Sequence, residues 1–519
     1  MTAYVCVHGH AYQPPRENPQ SGEVERQQSA EPYHDWNERI TAECYFPLSK
    51  AKRLNEAGAT VSTANLYESV SFDLGPTLGV WLDRRNPGLS TTITMGDSAG
   101  GGAMAHPWVH AILPLTPAGD RATIVRWGVD EFRSRFGRAP LGMWLPETAV
   151  DTASLEALAD VGIRWTMLAP HQIYADHGAT GVTPAAHQPL MLTLPSGRSM
   201  TIVPYDGELS HGIAFGGLLR DGQAFADAVA NKARSAAQTE PNPLVVLSTD
   251  IETFGHHHQF GEMALAHAME LWRAMGDIEV VTAERYLQMF PATQAGRLVE
   301  NTSWSCAHGV ERWRSDCGCR FEQVSGQDQR WRRPLRDVLV AVADVAGRLL
   351  NDHSGGDLVD PWAARYDYGM VLGSRPDRRQ AMQQQFLARH MAPGGDPQRV
   401  WQWMEAERLR LEAWSSCAWF FDTADRIETR QTLAEAREAL RRLGQLTERD
   451  LMPWFNDQLS LARLSDAAPE PVIPAVAPAV APAAAPAGES PAPPPPGSYG
   501  GAPIGTGAGP GSPAAPSDA

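Results

Sequence analysis

Leu141–Leu168 reads LGMWLPETAVDTASLEALADVGIRWTML. An apolar run, Leu141–Leu145, meets Pro146 and Glu147 and gives way to a segment with helical spacing. Asp151 can cap the first free amides of that helix, Leu155 and Leu158 share a face three residues apart, and Gly162 tolerates the left-handed turn that ends it. A second apolar run, Ile163–Leu168, follows at once. Strand, helix and strand in so short a stretch make a βαβ unit, whose two strands lie parallel.

The rhythm extends through the first 300 residues. Further apolar or β-branched runs at Tyr4–Val7, Ala59–Thr63, Met200–Tyr205 and Leu244–Thr249 are each followed by polar residues and then by an amphipathic segment. Strands alternating with helices predict an α/β fold with a parallel sheet. Directly after successive runs stand His8 and His10, then Asn65, Glu147, Asp206 and Glu208, and finally Asp250 and Glu252. Parallel barrels carry their catalytic groups on loops at the carboxyl ends of the strands, so these residues are expected to converge. Their flanks are apolar or aromatic for loops, with Trp144 and Pro146 beside Glu147 and Phe254 near Asp250.

Two carboxylates delivered from different strands are what a glycosidase requires. One protonates the leaving oxygen, and in retaining enzymes the other attacks the anomeric carbon. Four blocks, in order, add specificity: HGHAYQPP from His8, HPWVHAILPL from His106, GMWLPETAVD from Gly142 and STDIETFGHHH from Ser248. Together they resemble glycoside hydrolase family 57, in a subgroup with an extra C-terminal domain of uncharacterised function, from residue 1 to about Asp457.

The resemblance implies a distorted parallel (β/α)7 barrel of the glycoside hydrolase/deacetylase-like kind, with Glu147 as nucleophile and Asp250 as general acid/base. It makes His8, His10, Gln13 and His110 sugar-binding residues. The activities it implies are amylase, 4-α-glucanotransferase or branching chemistry on an α-glucan or maltooligosaccharide, without cofactor. The first block is longer than the usual family pattern, and His256–His258 are unusual for it. An alternating D-x-E in a strand would put Asp250 and Glu252 on one face, where each raises the other's pKa.

Sugar rings stack on indoles, and Trp36, Trp108, Trp144, Trp304 and Trp313 lie in or beside these blocks, with Trp144 and Trp304 the expected substrate platforms. The polar, aromatic stretch Pro32–Tyr45 reads as a long loop covering a site. WSCAHGVERWRSDCGC, Trp304–Cys319, holds Cys306, His308, Cys317 and Cys319, a possible Cys₃His zinc set. Its C-x-H and C-x-C spacings are tighter than the usual knuckles, so its metal content stays open and no metal is assigned.

The 519 residues carry a formal charge of −16 and no basic stretch interleaved with aromatics, which excludes the electrostatic footprint of a nucleic-acid binder. There is no apolar run long enough for a membrane span and no secretory signal pattern. Six cysteines are too few for a disulfide scaffold, and a reducing cytoplasm is expected.

Helical spacing returns at Leu335, Val338, Val342, Val345 and Leu349, at Val400, Trp403 and Met404, and at Leu433, Ala436, Leu440 and Leu443. The expected organisation is therefore a barrel over 1–300, a Trp/Cys-rich segment bordering the site over 301–331, a helical domain over 332–464, and a disordered Pro/Ala/Gly-rich tail over 465–519. The helical domain would cover one side of the site or join copies of the chain as a homo-oligomer.

Two other functions fit some of the same residues. An H-x-H after the first strand, with Asp250 and His256–His258, is the start of a metal-dependent amidohydrolase or deacetylase-like enzyme, which has no need of Glu147. A glucan-binding scaffold would lose nothing on removal of either carboxylate.

Overall fold

The computed structural model describes residues 2–55, 57–184, 187–321 and 328–464; the expected tail over 465–519 lies outside the described residues. Six strands carry the first half: β1 (Ala3–Ala11), β2 (Ser71–Leu74), β3 (Ala103–Met104), β4 (Trp165–Leu168), β5 (Ser199–Pro204) and β6 (Leu244–Asp250). β1 is buried along its whole length, as a strand covered on both faces must be, and this is why its apolar run is continuous. It pairs in parallel with β6, His10 opposite Asp250, and on its other edge with β2, which in turn pairs in parallel with β3.

The ring continues through Leu141–Leu145, which makes only single bridges, Met143 to Ala105 and Gly142 to Trp165. β4 and β5 pair in parallel, and the Asp206 N–H donates to the Val246 carbonyl at 2.7 Å, joining the end of β5 to β6. Counting the Leu141–Leu145 segment, seven parallel staves surround the interior, so the fold is a distorted (β/α)7 barrel. Ile278–Val280 flanks the first residues of β1.

The structure corrects three expectations. Thr60–Ala64 is a solvent-exposed strand of an antiparallel hairpin with Ala51–Leu54, and the stave expected there is β2, whose sequence SFDL buries an aspartate and does not read as apolar. Leu141–Leu145 is too irregular to form a ladder. Pro32–Tyr45 is not an open loop: Asp35 accepts from the Glu38 amide and starts a helix, Trp36–Ile40, that runs into a π-turn, Thr41–Tyr45.

In the βαβ unit that decides the fold, Asp151 accepts from the Ser154 amide at 2.7 Å, Leu155 and Leu158 are buried, and Gly162 sits at φ +90°.

The second half is helical. α1 (Arg332–His353), α2 (Pro397–Glu412) and α3 (Ile427–Thr447) bury the stripes that their spacing predicts, and they share one apolar core with the barrel. A buried ionic knot also joins the halves. Asp120 of the barrel's Ala118–Phe136 helix takes both arms of Arg410 (2.7 and 2.9 Å), Arg365 (3.1 Å) and the Trp414 indole (3.0 Å). The chain then passes over the carboxyl ends of the strands, where the Ser416 amide donates to the His110 carbonyl at 2.7 Å. No helix among the described residues is long and apolar enough to cross a membrane.

Candidate active site

The carboxyl ends of β1, β2 and β6 bring together a charged core within the barrel mouth. Asp73, from β2, is fully buried, with His10 Nδ1 2.9 Å from one oxygen and His8 Nε2 3.2 Å from the other. Burial alone would raise the Asp73 carboxyl, but the His10 charge and the two imidazoles outweigh it and hold it at about 2. Burial likewise opposes a charge on His10, yet Asp73, Asp250 and Glu252 raise it to about 9. The pair is thus an aspartate and an imidazolium. The other nitrogen of His10, Nε2, lies 3.1 Å from His110 Nε2, so His10 donates there. Burial lowers His110 far below the usual range and His106 to about 4, so both are neutral rings.

Gly9 separates the two histidines because a Cβ there would lie 2.6 Å from the Ile251 side chain, which packs against β1. Trp144 stacks beneath, with its ring 4.7 Å from His8 and 5.4 Å from His10.

Glu147 follows the irregular stave, and its backbone is unusual. Glu147 (φ 57°) and Thr148 (φ 48°) are consecutive non-glycine residues in the left-handed region, a costly conformation that clusters at functional sites. Surrounding bonds hold it there. The Trp304 amide donates to the Glu147 carbonyl at 3.0 Å, and Gln172 Nε2 donates to the Thr148 carbonyl at 2.8 Å. Glu147 is only 8 % exposed, and one of its carboxylate oxygens, Oε2, accepts from both Trp304 Nε1 (2.9 Å) and Ser305 Oγ (2.5 Å). Both donors sit on one side, leaving Oε1 without a protein partner among these bonds.

Asp250, the last residue of β6, is partly open. Burial in the barrel mouth and the negative charges of Glu147 and Asp73 raise its carboxyl to about 6, against the opposing pull of His10. Glu252 is raised to about 7, by burial and then by Asp250. It accepts from the Tyr45 hydroxyl at the end of the π-turn. The environment therefore pairs a hydrogen-bonded Glu147 with a carboxyl that keeps its proton close to neutrality, the asymmetry that acid/base catalysis uses.

Residues 98–298 match the model of glycosyl hydrolase family 57, and residues 328–468 match a domain of unknown function (DUF3536). Residues 98–298 thus carry a glycosyl hydrolase family 57 segment. No curated protein sequence matches it.

Among solved structures, the fold is similar to an exo-type maltose-forming amylase from Pyrococcus sp. ST04, at 15 % identity, covering 88 % of this chain and 82 % of that one, with a TM-score of 0.70. It is also similar to a family 57 branching enzyme from Thermococcus kodakaraensis, at 13 % identity, 91 % and 97 % coverage and a TM-score of 0.60. A 4-alpha-glucanotransferase from Thermococcus litoralis follows at 14 % identity, 86 % and 60 % coverage and a TM-score of 0.54.

Within this barrel the expected residues divide. Asp250, Glu252, His10 and His110 gather around the carboxyl ends of β1 and β6, and Trp304 joins Glu147 through its hydrogen bond. Gln13 accepts from Arg16 at 2.9 Å and faces the Tyr45 hydroxyl, in the layer behind Glu252. His8 and Trp144 are fully buried, so they underpin the site and do not offer a face to a sugar. Of the other tryptophans, Trp108 and Trp313 are core residues, Trp108 donating to Glu412.

Asn65 caps the turn Leu66–Glu68, Asp206 caps Gly207–Ala214, and Glu208 is an exposed partner of Lys232. Glu252 is not in the strand with Asp250, because β6 ends at Asp250 and a 3₁₀ turn, Ile251–Thr253, begins.

Several contributors escaped the sequence reading. Asp73 lay in a run too polar to read as a strand. Tyr205, whose hydroxyl is pushed up by burial and then by Asp250, was read only as the end of an apolar run. Ser305 was hidden in the cysteine block, and Ser415 and Ser416, which meet Tyr12 and His110, stand more than 300 residues away in sequence. Of the residues expected for a metal centre, Asp250 and His256–His258 form no such cluster among the described residues, whereas His10 of the H-x-H does. His256 pairs with Glu43, and His258 donates to the Ala214 carbonyl. The histidines that converge are His10, His106 and His110.

Proposed function

We propose that this chain is a retaining glycoside hydrolase or transglycosylase acting on α-glucans, with Glu147 as nucleophile and Asp250 as general acid/base. The observation that carries the reading is the pair of carboxyls from different staves in opposed environments. Glu147 has one oxygen fixed by two donors and the other unengaged by them, and Asp250 is raised to about 6 by burial and by Glu147 itself. Asp250 donates its proton to the departing glycosidic oxygen while Glu147 Oε1 attacks the anomeric carbon. Once the covalent glycosyl-enzyme has formed, Asp250 returns as base to activate water or a sugar hydroxyl. The substrate class rests on the family 57 match together with the neighbours' names: maltose-forming amylase, branching enzyme and 4-alpha-glucanotransferase are α-glucan enzymes.

The test is product analysis with wild type, Glu147→Gln and Asp250→Asn on amylose, maltooligosaccharides and glycogen. Activity abolished by Glu147→Gln and sharply reduced by Asp250→Asn supports the reading, and longer or branched products distinguish transfer from hydrolysis. Full activity in Glu147→Gln overturns it, and unaltered glucan binding without turnover in wild type would leave a scaffold.

One observation favours a second reading, hydrolysis by metal-activated water. His10, His106 and His110 bring a ring nitrogen each within 4.8 Å, while their Nδ1 atoms are engaged by Asp73, the Pro107 carbonyl and Ser416. Imidazoles with the far nitrogen tied to an acceptor are how metal ligands are oriented. A proton and a metal ion compete for the same lone pair on His10. Activity lost in Glu147→Gln but kept in the presence of a chelator separates the retaining mechanism from this reading.

A further inference from the structure

A second cluster lies next to the site, in the cysteine block whose metal content the spacing left open. Cys306 and Cys319 have their sulfurs 3.8 Å apart, Cys306 and Cys317 4.0 Å apart, and Cys319 Sγ is 3.5 Å from His308 Nδ1. All four donor atoms fall within 4.8 Å of one another. A disulfide needs about 2.05 Å, so no pair of these sulfurs is bonded. Tetrahedral zinc, with Zn–S of about 2.3 Å and Zn–N of about 2.05 Å, sets edges of about 3.8 Å for S···S and about 3.5 Å for S···N. The three distances above match edges of that tetrahedron, and the other three fall within 4.8 Å.

The tight C-x-C spacing is resolved by Gly318. Its φ of +83° turns the chain between Cys317 and Cys319, so that both sulfurs face the same point, and no atom lies within 4 Å of the position a side chain would take there. Behind the cluster the buried Arg332 guanidinium donates to the Cys319 carbonyl from both of its amino groups, at 3.3 Å each, fixing the ligand loop against α1.

We propose that Cys306, His308, Cys317 and Cys319 bind one zinc ion as a closed structural site that positions the segment holding Glu147. Four protein ligands leave no open coordination position, so the ion supplies no catalytic water. Its effect is mechanical. Cys306 directly follows Trp304 and Ser305, the two donors to Glu147 Oε2. Without a tether at Cys306 these donors sit just ahead of the stretch Cys306–Cys319, which has little regular structure: its one short helix is Glu311–Trp313. The metal assignment stands on the cluster alone, and its link to catalysis rests on the reading of Glu147 as nucleophile.

The experiment uses the purified full chain, without substrate. Elemental analysis is expected to give one zinc per chain, released stoichiometrically when a mercurial titrates the thiols. Cobalt exchanged into the protein is expected to show intense thiolate-to-cobalt charge-transfer bands and a tetrahedral ligand-field spectrum, which a metal held only by histidines would not give. Cys319→Ser and Cys317→Ser are expected to lose the zinc and the bands, whereas Glu147→Gln keeps both.

Where a cysteine variant fails to fold, the titration and cobalt spectrum of the wild type decide alone. Reduced wild type that takes up neither zinc nor cobalt with thiolate bands overturns the proposal, as does zinc retained after both cysteine changes or a disulfide among these thiols. Activity is a separate arm: soluble Cys319→Ser is expected to lose about 10- to 100-fold in kcat with binding less affected. A wild type that carries the zinc but does not process glucans would sink the functional reading and leave the metal site standing.

Discussion

At Glu147 and Asp250 the same barrel mouth treats two carboxyls differently, and the difference has a measurable sign. A general acid works only while protonated. With Asp250 raised to about 6, kcat/KM is expected to fall roughly tenfold per pH unit above that value, and Asp250→Asn is expected to remove this limb along with about 10²–10⁴ in rate. A pH–rate profile that is flat from pH 6 to 9 would count against Asp250 as the acid. Ser305→Ala removes one of the two donors to Glu147 Oε2 and leaves Trp304 in place. A hydrogen bond to a charged group is worth about 1.5–3 kcal/mol, so kcat is expected to fall about 10- to 100-fold with the melting temperature little changed.

Asp73 presents the opposite case. Asp73→Asn leaves His10 without its counter-charge in a buried place, with an expected loss of about 3–5 kcal/mol, read as a lower denaturation midpoint. The stability that Asp73 supplies is present above the ordinary carboxylate pKa and is lost as pH falls through about 2. The part supplied by His10 is full below its ordinary pKa and is lost as pH rises through about 9.

The elements explain how much could be read beforehand. β1, β4, β5 and β6 are largely buried, and a strand covered on both faces must be apolar nearly throughout, which made their runs visible. The Asp151 cap and the Leu155/Leu158 stripe were visible for a similar reason, since local rules act within a few residues. β2 breaks the rule by burying a charge whose partners, His8 and His10, lie more than 60 residues earlier in the chain. The exposed hairpin strand Thr60–Ala64 has the β-branched composition without the burial. Among the candidate site residues, those attached to a legible strand end, such as His10, Glu147 and Asp250, could be named from the sequence. Those set by long-range packing, Asp73, Ser305 and Ser416, could not, because composition near them carries no mark of what approaches in space. The cysteine block sits between these cases: its residue types point to a metal and its spacing points away, and the left-handed Gly318 brings Cys317 and Cys319 to one side in the proposed zinc site.

The barrel and the helices are interdependent across the whole molecule, and a cut after Trp331, just ahead of α1, exposes the dependence. It would strip the Arg410 and Arg365 partners from buried Asp120, take the Ser416 hydroxyl from His110 and the Glu412 carboxylate from the Trp108 indole, and uncover the barrel's share of the common core. Apolar core surface left facing water costs about 25 cal/mol per Å², against a usual domain stability of only about 5–15 kcal/mol. A chain ending at Trp331 is therefore expected to be insoluble or to lack a cooperative melting transition. A chain ending at Leu464 keeps every one of these contacts, and the Pro/Ala/Gly-rich composition it discards offers no apolar face to bury. It is expected to match the full chain in melting temperature and in kcat/KM. Should the shorter barrel fold and process glucans unaided, the helices would be an accessory to the site and not its wall.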